Sequence, residues 1–109
     1  MNGYEVAVKE ITPAVRLLIA RELKAKYNMR EKDIAKRLNI AQAAVSKYLS
    51  GKYSKRIGDA AARIDGKYVD TYIEGIMEGR KDYAQICVCT VCKSVNDFGC
   101  KFSYARSVK

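Results

Sequence analysis

The chain of 109 residues carries 21 Lys/Arg against 12 Asp/Glu, a formal charge of +9, and is 49% hydrophobic, which suits one small globular domain with at most a short appendage. It contains no histidine, and this excludes a Ser-His-Asp triad, a Cys-His pair, a two-histidine metal site and an imidazole pH switch. No apolar signal-peptide core follows the N-terminus, where Glu5, Lys9 and Glu10 intervene, and no apolar run is long enough for a bilayer, so a soluble cytoplasmic protein without membrane contact is expected.

Residues 4–11 loosely alternate apolar and polar, predicting a short extended arm or edge strand. Thr12-Pro13 then reads as N-cap plus first helical residue, because proline lacks only an N–H that is orphaned there anyway. The first helix runs to about Tyr27, with Val15, Leu18, Ile19, Leu23 and Tyr27 on one face and Arg16, Arg21, Lys24 and Lys26 left for solvent or phosphate. A second helix spans roughly Arg30 to Leu38, turning Ile34, Ala35 and Leu38 inward. A third spans about Gln42 to Ser50, turns Val45, Tyr48 and Leu49 inward, and is ended by Gly51. Ile57, Ala60, Ala61 and Ile64 mark a fourth helix, broken by Gly66, and Val69, Tyr72, Ile73, Ile76 and Met77 a fifth, closing near Gly79. These two are acidic or neutral outside and read as packing or dimerisation helices. After Lys81 the periodicity weakens and the cysteines arrive, which places a module boundary near residue 80.

Charge is concentrated in the middle of the chain. Residues 16–56 hold twelve Lys/Arg against three Asp/Glu, the footprint expected of a surface that meets a polyanion. Within that stretch, two helices joined by a three- to four-residue turn must cross steeply to bury a shared face. Such a crossing demands a small residue at the closest approach, apolar residues at fixed offsets and a turn residue tolerant of positive φ. Ala35 is the small residue, Ile34, Leu38, Ile40, Val45 and Tyr48 supply the offsets, and Asn39 is the turn residue, asparagine being second only to glycine in the left-handed region.

The run Ile34-Ala35-Lys36-Arg37-Leu38-Asn39-Ile40-Ala41-Gln42-Ala43-Ala44-Val45-Ser46-Lys47-Tyr48-Leu49 resembles the Xre/Cro-type helix-turn-helix regulators. It departs from their usual pattern in two places: Asn39 stands for glycine, and Ala41 for the Ser or Thr that caps the recognition helix, at a cost of about 1 kcal/mol. The wider chain is similar to short archaeal regulators with an extended arm, a first helix like Ala14 to Leu23 and a cysteine-bearing tail. The resemblance implies a homodimer on a palindromic double-stranded DNA operator. With the third helix in the major groove, Gln42, Ala43, Ser46 and Lys47 face the DNA; Gln42 suits adenine and Ala43 a thymine methyl. Lys52, Lys55 and Arg56 after that helix, and Lys32 and Lys36 near the second, suit phosphates.

Cys87, Cys89, Cys92 and Cys100 are the only cysteines and fall within fourteen residues. Four thiolates can complete a ligand set for an iron–sulfur cluster or zinc. Asn96, Asp97 and Gly99 suggest a turn returning Cys100 to the other three, and Ile86, Val88, Val91, Phe98 and Phe102 a dry shell. One Cys-x-x-Cys overlapping a Cys-x-Cys, with a distant fourth cysteine, favours an iron–sulfur cluster over zinc. Reversible disulfides and inert buried thiols are the competing readings. No paired carboxylates, phosphate loop or nucleophile–base set is present, so no enzyme is expected.

The expectation is an all-α bundle with a short N-terminal arm. Residues 1–80 form a helix-turn-helix DNA-binding and dimerisation domain, and residues 81–109 a cysteine-rich module. Its function is that of a transcription regulator sensing redox or metal state through the four cysteines. The alternatives are a DNA-binding module with a structural zinc or disulfide-switching tail, an antitoxin-like partner of another protein, and an electron-transfer protein with incidental charge.

Overall fold

A computed structural model describes residues 7–80 and 82–95. Among these are a π-helical turn, Ala7–Ile11, and six α-helices with no strand: α1 Thr12–Tyr27, α2 Glu31–Leu38, α3 Gln42–Leu49, α4 Lys55–Arg63, α5 Lys67–Met77 and α6 Tyr83–Val95. No helix among the described residues is long and apolar enough to cross a membrane.

Helix α1 is the axis of the bundle and touches every other element. Ala14, Val15, Leu17, Ile19, Ala20 and Leu23 are all buried, and at 100° per residue they point around most of the circumference. A helix apolar on nearly all sides belongs inside a core. The sequence expectation of a single apolar face therefore undercounts it: Leu17 is fully buried, whereas Leu18 and Tyr27 are half-buried against the same core.

The extended arm expected over residues 4–11 is corrected for its described part. Residues 7–11 are helical and run straight into α1, with Ile11 at φ −73°, ψ −47° and only 3% exposed; residues 4–6 lie outside the described residues. A loosely alternating apolar run this short fits both periods, and burying Ile11 decides for the helix. Proline at position 13 cannot donate to the carbonyl four residues back, and the wider π turn ahead of it accommodates that gap. Thr12 is consequently the first residue of α1 and not its cap.

Four helices end on a left-handed residue: Asn28 (φ 49°), Asn39 (φ 56°), Gly51 (φ 80°) and Gly79 (φ 79°). After α2, Asn39 N–H donates to Lys36 O at 3.3 Å and Ile40 N–H to Ala35 O at 3.0 Å, a Schellman closure that satisfies the last carbonyls and reverses the chain. Helix α4 stops earlier than Gly66. Ile64 is already extended (ψ 129°), and Asp65 Oδ1 accepts from Lys67 N–H at 3.0 Å to start α5, while Gly66 has an ordinary φ of −58°.

The boundary placed near residue 80 coincides with the connection between α5 and α6, and the helix beyond it contributes to the same core. Cys87, Val88, Val91 and Cys92 join the buried cluster built on α1, with Ala84 packed against it. Residues 84, 87, 88, 91 and 92 trace an i, i+3, i+4, i+7, i+8 stripe once cysteine is counted as a small hydrophobe. Helices α5 and α6 approach closely at Gly75, where a Cβ would overlap the Tyr83 ring. Tyr83 packs edge-on against Tyr72, centroids 6.1 Å apart. The Thr90 hydroxyl donates to Ile86 O at 2.8 Å, which leaves the Tyr72 hydroxyl to donate to Thr90 Oγ1 at 3.3 Å.

Candidate nucleic-acid interface

Helices α2 and α3, eight residues each, are joined by residues 39–41 and anchored by Ile34, Ala35 and Leu38 on one side and Val45 on the other, all buried. Tyr48 and Leu49 are half-buried against the core beneath α3. Burial pushes the Tyr48 phenol up, and the nearby Arg16 guanidinium opposes the shift. With that face committed inward, Gln42, Ala43, Ser46 and Lys47 are exposed along the opposite face of α3. Ala41 takes up an N-cap backbone (φ −68°, ψ 144°) and has no side-chain oxygen to accept from the first N–H groups of the helix.

The other five residues expected at phosphates, Lys32, Lys36, Lys52, Lys55 and Arg56, are exposed as well. Ion pairs among the described residues involve Lys26 with Glu22 (3.3 Å) and Asp70 (3.5 Å), Lys67 with Asp65 (3.8 Å) and Arg80 with Glu78 (3.2 Å). None of the six cations of the expected interface, Lys32, Lys36, Lys47, Lys52, Lys55 and Arg56, is drawn into such a pair. Among the described residues their charges therefore stand unpaired with carboxylates, the condition in which a surface attracts a polyanion.

Two contacts that fix this surface have no counterpart in the sequence reading. Tyr53, in the loop that carries Lys52, accepts a hydrogen bond from Arg21 Nη2, and the same guanidinium lies 5.7 Å from the ring centroid. Arg21, expected to point at solvent or phosphate, thus pins the chain between α3 and α4. Arg37 Nε donates to Met77 O at 2.9 Å across forty residues of sequence, tying the end of α2 to the end of α5. No local signal marks partners this far apart; only the fold brings them together.

The cysteines are helical, which alters the geometry expected of them. At 3.6 residues per turn, Cys87 and Cys89 point about 160° apart, whereas Cys89 and Cys92 lie about 60° apart, one turn along the helix. All three are buried. The Cys87 thiol donates to Tyr68 O at 3.6 Å, and burial pushes it up to about 12. Gln85 Nε2 donates to Cys89 Sγ at 3.4 Å. Among the described residues no three His, Cys, Asp or Glu side chains are gathered as a metal ion requires. Cys100, with Asn96, Asp97, Phe98, Gly99 and Phe102, lies outside the described residues. As folded, α6 spreads the three described thiols around its axis, with Cys87 and Cys92 both in the core cluster.

No family model matches the chain, and no curated protein and no solved structure matches it.

Proposed function

We propose that this protein is a sequence-specific double-stranded DNA-binding regulator that sets α3 into the major groove. Gln42, Ala43, Ser46 and Lys47 read base edges, and Lys32, Lys36, Lys52, Lys55 and Arg56 hold phosphates. The observation that carries the reading is the outward face of α3, four exposed side chains on a helix whose other face is committed to the core, bordered by exposed cations without carboxylate partners. The short turn after Asn39 supports it, because a steep crossing leaves one helix of a pair standing proud of the domain. The proposal includes a homodimer on a palindromic site, as the resemblance to Xre/Cro-type helix-turn-helix regulators implies.

The cofactor half of the reading, an iron–sulfur cluster or alternatively zinc at Cys87, Cys89, Cys92 and Cys100, carries a structural condition. The three described thiols have to be brought to one point before they can share a metal ion. Iron, sulfide and zinc analysis of protein purified without oxygen tests it directly.

The test of DNA recognition is selection of binding sequences from random duplexes, followed by affinity measurements on the selected site. Gln42→Ala is expected to lose about 1–3 kcal/mol and to relax preference at one base position. Lys47→Ala is expected to weaken the specific complex as well. No enriched sequence, or both variants binding like the parent chain, would falsify the assignment of α3 as the reading helix.

A further inference from the structure

Beside the turn that joins α2 to α3, a cleft of about 300 Å³ opens where α1, the end of α2, the end of α5 and the start of α6 meet. Its polar lining is Arg16, Arg37, Arg80, Asn39, Asp82 and Gln85, and none of the nine residues assigned to DNA is among its walls. Three arginines thus line one cavity to which, among the described residues, a single carboxylate, Asp82, belongs.

The state of these arginines is the informative feature. Arg16 and Arg37 are half-buried, and neither is ion-paired among the described residues. Arg37 spends Nε on Met77 O, leaving its two terminal nitrogens as donors. Arg16 makes no hydrogen bond among the described residues. Arg80 is held at the rim between Glu78 Oε1, at 3.2 Å, and the Tyr83 ring, 5.7 Å from its centroid. A guanidinium cannot shed its charge when partly removed from water, so unpaired donors turned to a cavity favour an oxyanion there. Asn39 and Gln85 add neutral hydrogen-bonding groups, and Leu38, Ile76 and Val88 give the cleft apolar walls.

We propose that this cleft is a binding site for a small free oxyanion, a phosphate- or carboxylate-bearing molecule of few heavy atoms. Guanidinium forks match phosphate and carboxylate oxygens two at a time. A volume near 300 Å³ is at the lower end of small-molecule pockets, which limits the occupant to a compact one. The lining comes from four helices, so an occupant bridges the α2–α3 pair to α6. Gln85, at the wall, also bonds Cys89. The site stands independently of the DNA reading.

The test titrates inorganic pyrophosphate into the full chain, with ionic strength held constant by chloride, while the arginine Nε–H and amide resonances are followed by NMR. Saturable shifts confined to Arg16, Arg37, Arg80, Asn39 and Gln85 are expected. Arg16→Gln, which removes a side chain that makes no hydrogen bond among the described residues, is expected to weaken pyrophosphate by about tenfold or more, the worth of a charge-assisted pair. Non-saturating shifts, or shifts spread equally over Lys47, Lys52 and Arg56, overturn the proposal. So does a response of Arg16 and Arg37 to duplex DNA but not to pyrophosphate, which makes the cleft a backbone contact.

Discussion

Ala41 occupies a position whose backbone is set for a capping side chain that alanine does not have. The first N–H groups of α3 are left to water, and α3 is only eight residues long, so each lost cap bond weighs heavily on it. Ala41→Ser is expected to add about 0.5–2 kcal/mol, read in thermal unfolding as a rise of roughly 4–8 °C per kcal/mol for a domain of this size. Because Ala41 is exposed, no packing change offsets the gain; an unchanged melting temperature counts against the capping argument. The same residue shows what the sequence makes legible. Asn39 announces the left-handed turn by its residue type, and it is found at φ 56°; Gly51 likewise marks the end of α3. The outward residues of α3 follow from its inward ones. Cys87 was not legible in this way, because a thiol reads either as a ligand or as a small hydrophobe, and residue type alone does not separate the two. Here burial pushes the thiol up, and the thiol donates to the Tyr68 carbonyl.

At the scale of elements, α6 is where sequence reading and structure part. Reading the cysteines as a metal module hides the helical stripe that Cys87 and Cys92 share with Ala84, Val88 and Val91, and the bundle keeps growing past Gly79. The π turn was hidden for a related reason: eight residues carry too few periods to separate alternation from a helix. The contact that seats α6 is the passage of Tyr83 over Gly75. Gly75→Ala places a methyl inside the ring's volume, and overpacking of this kind costs about 1–3 kcal/mol. Chemical denaturation of the variant is expected to give a lower midpoint and an unfolding free energy reduced by that amount. Tyr83→Leu in the Gly75→Ala background is expected to recover part of the loss by shrinking the opposing side chain. A Gly75→Ala chain as stable as the parent contradicts the close approach.

For the molecule as a whole, the uncompensated charge around α3 makes a quantitative statement about salt. If Lys32, Lys36, Lys52, Lys55 and Arg56 each neutralise one phosphate, the logarithm of the DNA association constant falls with the logarithm of salt concentration at a slope of about −4.5 per chain. Fluorescence anisotropy between low and physiological salt reads this slope. Lys52→Ala is expected to make it shallower by about 0.9, and to weaken specific and nonspecific duplexes alike. A slope near zero would mean that this surface does not meet a nucleic acid. The cleft lined by Arg16, Arg37 and Arg80 could not be read from the chain, because its three arginines come from α1, α2 and the residues after α5 and meet only when the bundle closes.

The central place of α1 also bears on how the chain is made. This helix leaves the ribosome first among the six, with apolar side chains around most of its circumference, while the helices that cover it follow in order. Val95 emerges sixty-eight residues after Tyr27, which at about 5–20 residues per second leaves α1 incompletely sheltered for roughly 3–14 s. During synthesis, therefore, its apolar surface is the part of this protein most exposed to chaperones and to the wrong neighbours, and translational pauses before α6 lengthen that exposure.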